Sequence, residues 1–428
     1  MTNTENHQNF KFPFLWGVAT SAFQIEGHLT NDMTDWENLG HFNENGQTSL
    51  YGCAVNHWER WQADLQLLKQ LNVNAYRFSM DWGRIQPERN YFDETALAQY
   101  DQMVDELIEL DIIPMLTLHH FTHPTWFHQS TPWHLPESIE VFFTYAQKLI
   151  EIFSDRIKLF ITFNEPLVWA LAAYGDAKFP PGENNMQLMM KALSHILKAH
   201  KKTYEMIKAN DAESMVGIAK NFIIFQPQRS WNLLDVGLSQ RIHYFYNLML
   251  LNSFKTNRLK IHLPTVLHYD EDIELNDTID FWGLNYYYRL FVKFQMKPEL
   301  PFVLNSIHRS GEGMSDLDWE IYSNGLDQIL TWLKQTGKTV VITENGIADR
   351  SDKKRTEFLK SHLSVVEKTR QKGYPLFGYF HWSLMDNYEW LEGNSARFGL
   401  YEVDYTDNYN RLLRKSGEFY SKYIKSHQ

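Results

Sequence analysis

The stretch Leu159-Phe-Ile-Thr-Phe-Asn-Glu-Pro166 decides how we interpret the fold of this 428-residue chain. It begins as an apolar run of the kind that forms buried strands, and it ends abruptly in Asn164-Glu165-Pro166. Because proline cannot donate a hydrogen bond to a sheet ladder, the strand is predicted to stop there. A carboxylate left at the mouth of a buried strand is costly unless it has a partner or a function.

A second stretch far downstream, Val340-Val-Ile-Thr-Glu-Asn-Gly346, has the same form and ends in Glu344. A single glutamate of this kind would be read as the start of the next helix, where its charge suits the helix N-terminus. Two such glutamates, each beside an asparagine and each ending a buried strand, point instead to a pair of carboxylates. Paired carboxylates are the catalytic groups that flank a glycosidic bond.

Short apolar segments alternate with longer segments of helical spacing along the whole chain. Leu97, Tyr100, Val104 and Leu107 form one such helical stripe, with Asp93 as its predicted N-cap. The alternation predicts an α/β fold, a single (β/α)8 TIM barrel with extended strand-to-helix loops. The predicted strands are 14–20, 74–80, 112–120, 159–164, 215–220, 280–286, 339–343 and 376–382.

An open doubly wound sheet is the alternative fold, but no glycine-rich phosphate loop follows the first predicted strand. A plain barrel needs about 250 residues. The surplus is therefore predicted to lie in strand-to-helix loops such as 21–53, 121–135 and 291–318. Composition is even and neither repeats nor linkers interrupt it, which predicts one catalytic domain over residues 1–428.

Composition excludes several classes of partner. The net charge is −11 and no long Lys/Arg cluster is present, which argues against nucleic acid and anionic membrane surfaces. Cys53 is the one cysteine, so an intrachain disulfide is impossible and a reducing compartment is favoured. The polar N-terminus lacks signal-peptide features, and no apolar run reaches the length of a membrane span. We therefore expect a cytoplasmic protein without a membrane segment.

Five motifs follow one another along the chain: Phe-Leu-Trp-Gly-Val-Ala-Thr-Ser-Ala-Phe-Gln-Ile-Glu-Gly at 14–27, Tyr-Arg-Phe-Ser at 76–79, Thr-Phe-Asn-Glu-Pro at 162–166, Thr-Glu-Asn-Gly at 343–346 and Trp-Ser-Leu-Met-Asp-Asn-Tyr-Glu-Trp at 382–390. In a match that runs from Phe14 to about Tyr420, they resemble the motifs of the family 1 glycoside hydrolases, the β-glucosidase and β-galactosidase family. Any one of them could arise by chance. Their joint occurrence in this order is highly specific.

The resemblance implies catalytic roles for four residues. Glu344 would be the nucleophile, and Glu165 would be the general acid and later the general base. Arg77 matches a family arginine that contacts the nucleophile, where a guanidinium would keep that carboxylate charged and oriented. Asn164 would bind the 2-hydroxyl of the sugar, a contact that strengthens in the transition state.

Further matched positions would form the sugar-binding pocket. Trp382 would be the aromatic platform under the sugar ring, and Phe398 would close the pocket. Contacts to sugar hydroxyls are implied for Gln24, His120, Glu389 and Trp390, and positions near the nucleophile for Asn285 and Tyr287. A carboxylate at Glu389 would repel a 6-phosphate, which favours a free sugar. Members of the family that cleave thioglucosides carry glutamine in place of the general acid. Since Glu165 is present here, the resemblance favours ordinary O-glycosides over thioglycosides.

These residues lead us to interpret the chain as a retaining exo-β-glycosidase, with β-glucosidase as the first choice. A transglycosidase using the same residues and a non-catalytic sugar-binding barrel are the alternatives. Neither a metal nor an organic cofactor is expected. His119, His120, His123 and His128 lie close together, but their spacing matches no zinc pattern. The preferred sugar, the aglycone and whether the chain forms a homo-oligomer stay open.

Overall fold

The structure is a computed structural model that describes residues 12–41, 51–263, 267–296 and 302–428. The strands are β1 (Leu15–Ala19), β2 (Ala75–Ser79), β3 (Ile113–His119), β4 (Leu159–Asn164), β5 (Met215–Pro227), β6 (Arg258–Leu263), β7 (Leu267–Asp272), β8 (Phe281–Phe294), β9 (Phe302–Asn305), β10 (Thr339–Asn345), β11 (Leu376–Trp382), β12 (Tyr401–Asp404) and β13 (Asn410–Leu413).

The α-helices are α1 (Ala22–Ile25), α2 (Asp32–Asn38), α3 (His57–Gln70), α4 (Trp82–Ile85), α5 (Glu94–Glu109), α6 (Thr125–Ser130), α7 (Ser138–Phe153), α8 (Pro166–Ala170), α9 (Met186–Asn210), α10 (Leu233–His243), α11 (Met249–Thr256), α12 (Ser323–Lys334), α13 (Arg355–Gln371) and α14 (Lys415–Lys425). Leu171–Gly175 and Tyr244–Leu248 are π-helical, and Trp390–Glu392 is a 3₁₀ turn. In the described part of the chain, no helix is long and apolar enough to span a membrane.

The sheet closes into a barrel of eight parallel strands. Its order is β1, β2, β3, β4, β5, β8, β10 and β11, and β11 pairs back with β1. This closure confirms the predicted (β/α)8 barrel. The open doubly wound sheet is wrong, because β1 has a hydrogen-bonded neighbour on each side and β10 joins β8 to β11.

The barrel forms because its strands are apolar on both faces. Every residue of β2, β4 and β10 is buried, which is typical of parallel strands covered by helices. The helices are amphipathic. In α5 the predicted stripe faces the core, and the side chain of Asp93 accepts from the backbone N–H groups of Thr95 and Ala96 as predicted.

The fifth and sixth barrel strands, β5 and β8, are longer than predicted. They continue to Pro227 and Phe294 because they stay paired with each other beyond the barrel, and β9 adds to this extension. Part of the predicted loop 291–318 is therefore sheet. The predicted loop 21–53 contains α1 and α2, and 121–135 contains α6. Residues 42–50 and 297–301 of these loops lie outside the described residues. The hairpin of β6 and β7 was not predicted.

The topology brings the two glutamates to the same end of the barrel. Glu165 directly follows β4, and Glu344 is the penultimate residue of β10. In TIM barrels the C-terminal ends of the strands form the face that carries active sites. This end of the barrel is therefore where a catalytic site is expected.

Candidate active site

Glu165 has an unusual backbone conformation at the end of β4. Its backbone lies in the left-handed region, with φ 45° and ψ 55°, and its N–H donates to Ala219 O at 2.7 Å. A left-handed backbone at a residue other than glycine costs about 1–3 kcal/mol and is frequent at functional sites. Pro166 begins α8, yet the Glu165 carboxylate makes no capping hydrogen bond to that helix. The carboxylate is thus not used to start the helix.

Glu344 is held by two donors. Arg77 Nη1 donates to its Oε1 at 2.5 Å, and the Tyr287 hydroxyl donates to its Oε2 at 2.6 Å. Arg77 is fully buried, so its ion pair with Glu344 is shielded from solvent. One oxygen of the carboxylate faces a guanidinium and the other a phenol, which compensates its negative charge and fixes its orientation.

Arg77 connects several strands across the barrel interior. Its Nη2 donates to Asn164 Oδ1 at 2.7 Å, and its Nε donates to Thr117 Oγ1 at 3.1 Å. Asn285 extends the network, because its Nδ2 donates to Glu165 Oε1 at 2.7 Å and to Asn164 Oδ1 at 3.1 Å. One continuous set of buried hydrogen bonds therefore links the two carboxylates.

The two carboxyl groups have opposite environments. Burial, and after it the negative charge of Glu344, raises the pKa of Glu165 to about 7 against the hydrogen bonds from Asn285 and Asn221. Glu344, in contrast, pairs directly with the Arg77 guanidinium. Pairs of titratable groups with such divergent environments are how enzymes separate a general acid from an ionised partner.

A second cluster surrounds Glu389. Trp382 Nε1 donates to Glu389 Oε1 at 3.0 Å, and Gln24 Nε2 donates to Glu389 Oε2 at 3.1 Å. The pKa of Glu389 is raised to about 8, chiefly by burial and further by the charge of Glu344, against the hydrogen bond from Trp382. The cluster therefore presents a carboxyl group with fixed donors beside it, close enough to the first cluster to feel the charge on Glu344.

Aromatic rings join the two clusters. The His120 ring lies 6.1 Å from Trp382 and 6.2 Å from Trp390, and its Nε2 is 3.2 Å from Asn164 Nδ2. Phe398 lies 6.1 Å from Tyr287 and shares an apolar cluster with Trp382. The structure thus brings every predicted site residue into one connected group, and none lies apart.

Three neighbours of Glu165 were missed from the sequence: Lys220, Asn221 and Tyr246. Asn221 Nδ2 donates to Glu165 Oε1 at 3.1 Å, and the Tyr246 hydroxyl donates to Asn221 Oδ1 at 2.8 Å. Asn221 could have been predicted, because it is a polar residue directly after the predicted fifth strand. Tyr246 could not, because its sequence does not indicate that the helical segment in which it lies packs against the end of that strand.

The neighbouring histidines have different surroundings, and His120 contacts a predicted site residue. His119 Nε2 lies 2.7 Å from His123 Nε2, and His123 Nδ1 lies 2.8 Å from Asp32 Oδ2. Both imidazoles are buried, whereas the His120 ring contacts Asn164. Within the ranges that the structure describes, no group of three or more His, Cys, Asp or Glu residues could hold a metal ion.

The raised pKa of Glu389 predicts a pH-dependent cost to stability. Between its ordinary value near 4.5 and about 8 the folded protein holds a proton that the unfolded chain releases, so stability falls as pH rises through this window. Glu389→Gln does not titrate. Relative to the wild type, we expect the free energy of unfolding of this variant in urea to increase by about 3 kcal/mol from pH 5 to pH 8.

Glu320→Gln is the matched control for this measurement. Burial raises the pKa of Glu320, but hydrogen bonds from Arg289 and from the Arg309 and Ser310 backbones outweigh it and hold the pKa below its usual value. Stability from this group is present above pH 4.5 and lost as pH falls, so Glu320→Gln should be less stable than the wild type at pH 5 to 8. A difference between Glu389→Gln and the wild type that does not change with pH would contradict the prediction.

Known proteins are similar to this chain in sequence and in fold. The profile of the family described as "Glycosyl hydrolase family 1" matches residues 6–428. Beta-glucosidase A of Thermotoga maritima is 34% identical over 97% of this chain and 98% of its own length. A β-glycosidase from Pyrococcus horikoshii superposes with a TM-score of 0.88 at 35% identity, covering 97% of this chain and 95% of that chain.

A β-glucosidase from Thermotoga maritima, solved in complex with castanospermine, superposes with a TM-score of 0.86 at 32% identity, covering 97% of this chain and 98% of that chain. Likeness at this level spans the whole barrel rather than one motif, and the family profile covers both glutamate-bearing strand ends. The chain therefore belongs to glycosyl hydrolase family 1, and it is a β-glycosidase.

Proposed function

We propose that the protein is a retaining exo-β-glycosidase, first of all a β-glucosidase, that hydrolyses terminal non-reducing β-D-glycosyl residues by double displacement. Glu344 is the nucleophile and Glu165 the acid/base. The observation that carries this proposal is the contrast between the two carboxyls, one paired with Arg77 and the other buried with a pKa of about 7. A retaining mechanism needs this difference between its two carboxyl groups.

In the first step Glu344 attacks the anomeric carbon while Glu165 gives its proton to the glycosidic oxygen. The hydrogen bonds from Arg77 and Tyr287 hold the attacking carboxylate in one orientation before the substrate arrives. As the bond to the sugar forms, charge leaves the carboxylate and the leaving oxygen is neutralised by the proton from Glu165. The products of this step are a glycosyl ester of Glu344 and the free aglycone alcohol.

In the second step Glu165 removes a proton from water, which attacks the anomeric carbon and releases Glu344. Esterification neutralises Glu344, and the charge of Glu344 is one cause of the high pKa of Glu165. The pKa of Glu165 therefore falls in the intermediate, when a base is needed. The same group can in this way act as an acid first and as a base afterwards.

The sugar pocket is formed by the cluster around Glu389. The two oxygens of its carboxyl group can each form a hydrogen bond with a sugar hydroxyl, while Gln24 supplies an amide beside them. Trp382 offers an aromatic face to the ring, and Asn164 contacts the 2-hydroxyl. A relative of the same fold, the β-glucosidase from Thermotoga maritima, was solved in complex with castanospermine, which supports the binding of a small molecule by this fold.

A test of the proposal is the anomeric form of the first product, read by proton NMR during hydrolysis of an aryl β-glycoside. A panel of gluco-, galacto-, fuco- and mannosides identifies the sugar, with β-glucoside expected to be fastest. The β-anomer should appear first and the α-anomer only by mutarotation. Initial formation of the α-anomer would rule out double displacement, and methanol added as an acceptor measures transfer against hydrolysis.

Tyr287→Phe is expected to lower kcat/KM by about 10- to 100-fold, because it removes one charge-assisted hydrogen bond from Glu344. Tyr286→Phe is a matched control on the adjacent position of β8, since its hydroxyl donates to Tyr322 O at 2.7 Å and not to the site. Kinetics of both variants on the same aryl glycoside decide the prediction. Equal losses would show that the phenol of Tyr287 acts only through the fold.

A further inference from the structure

We infer that Lys220 is a positioning residue for Glu165: it is buried behind this carboxyl, and its ammonium favours the ionised form and holds the residues that orient it. Lys220 would in this way set the pH at which the enzyme loses its general acid. This inference rests on the proposed role of Glu165 as acid/base. It concerns a residue that the mechanism above does not use.

Lys220 is buried in a way that is unusual for a lysine. It is 2% exposed, and its Nζ donates to the backbone oxygens of Asn221 at 2.7 Å and Tyr246 at 2.8 Å. The ammonium also lies 4.1 Å from the centre of the Phe222 ring. In the ranges that the structure describes, no carboxylate forms an ion pair with it. Because an unpaired buried charge costs several kcal/mol, a purely structural role would be served better by an apolar side chain.

The position of Lys220 connects it with Glu165. A single small cavity is lined by Glu165, Leu167, Val168, Lys220, Asn221 and Tyr246. Glu165 and Lys220 lie at neighbouring strand positions, since β4 pairs with β5 and Glu165 N–H donates to Ala219 O. In such a low-dielectric space, a charge on one group acts strongly on the other.

A chain of contacts also runs from Lys220 to the carboxyl. Lys220 holds the backbone of Tyr246, the Tyr246 hydroxyl donates to Asn221 Oδ1 at 2.8 Å, and Asn221 Nδ2 donates to Glu165 Oε1 at 3.1 Å. Tyr246 lies in the π-helical segment Tyr244–Leu248, whose wider turn follows α10. Single π-turns inside α-helices are frequent at functional sites.

The titratable groups that face Lys220 are Glu165 from the end of β4, His243 from α10 and Tyr246 from the π-helical segment. Burial lowers the pKa of Lys220 to about 7, and the charge of Glu165 opposes this. Burial lowers the pKa of His243, and the charge of Lys220 lowers it further, so that imidazole is not a competing cation. The pKa of Lys220 and the pKa of Glu165 are thus both about 7, and the charge of Glu165 acts on the ammonium of Lys220.

The test compares Lys220→Met with Leu167→Met, a change in the wall of the same cavity that alters no charge. The measurement is kcat/KM against pH for a phenyl β-glycoside, whose poor leaving group requires the general acid. We expect the alkaline limb of Lys220→Met to move upward by about half a pH unit or more, because Glu165 loses a neighbouring cation. Leu167→Met should keep the wild-type limb. An unshifted limb in Lys220→Met, with activity lower at every pH, would overturn the inference.

Tyr246→Phe is a second variant that keeps the charge on Lys220 and removes the hydroxyl that holds Asn221. It should also move the limb upward, by less than Lys220→Met, because the amide that bonds ionised Glu165 is released. A limb that does not move in either variant would overturn the inference even if Lys220→Met folds poorly. Failure of the proposed function is separable, since Glu165→Gln would then keep full activity on the phenyl glycoside.

Discussion

Glu344→Ala is expected to lose hydrolysis of aryl β-glycosides by roughly ten-thousandfold or more, as is usual when a covalent nucleophile is removed. The variant leaves a space beside Arg77 and Tyr287, both of which donated to the missing carboxylate. Azide is a small anion that fits such a space and is attracted by the guanidinium. Added azide should therefore restore turnover of a dinitrophenyl β-glycoside.

The anomeric form of the azide product shows whether Glu344 is the nucleophile. When azide replaces the nucleophile, it attacks the substrate directly and inverts the anomeric carbon once. The product should be the α-glycosyl azide, identified by NMR, and it should not be hydrolysed further by the variant. A β-glycosyl azide, or activity close to that of the wild type without azide, would mean that another residue is the nucleophile.

Asp64→Ala is the control for the loss of a buried carboxylate that pairs with arginine. Asp64 of α3 accepts from Nη2 of Arg411, a residue of β13, at 2.8 Å, and both residues lie outside the barrel strands. Breaking such a pair costs about 3–5 kcal/mol of stability. We expect Asp64→Ala to lower the melting temperature, while its folded fraction hydrolyses the glycoside at the wild-type rate.

The barrel was predictable because its strands are defined by local composition. Runs such as Leu159–Asn164 are buried over their whole length, and uniform burial makes a strand apolar throughout. The continuation of β5 past Lys220 was not predictable in the same way. Asn221 interrupts the apolar run, and the strand persists because β8 continues beside it, which is a long-range pairing.

Some features of the site were predictable from the sequence and others were not. Glu165 and Glu344 stand out from the sequence because each carboxylate follows a buried strand, and the family motifs supplied the residues around them. The sequence does not specify the left-handed backbone of Glu165, because proline at the next position signals only the end of a strand. Lys220 reads as a solvated strand end until α10 and its π-helical continuation cover it.

Glu165→Ala should affect the two steps of hydrolysis differently. With a dinitrophenyl leaving group the first step needs no acid, so the glycosyl-enzyme should form quickly and accumulate because no base activates water. We expect kcat to fall about 10²- to 10⁴-fold, with a burst of released dinitrophenol in stopped-flow measurements. With a phenyl leaving group the first step itself should be slow, and no burst should appear.

Azide should rescue this variant with the opposite stereochemistry to Glu344→Ala. Removing the Glu165 side chain opens space on the face from which water attacks, and azide needs no base to replace it there. Because Glu344 has already inverted the carbon once, the second inversion gives the β-glycosyl azide. The alkaline limb that a group of pKa about 7 imposes should also disappear from the pH profile of the dinitrophenyl substrate. If Glu165→Ala hydrolyses the phenyl glycoside as fast as the wild type and forms no glycosyl azide of either anomer, Glu165 is not the acid/base. If the two variants give opposite anomers of the azide, the pair of experiments assigns the roles of both carboxylates.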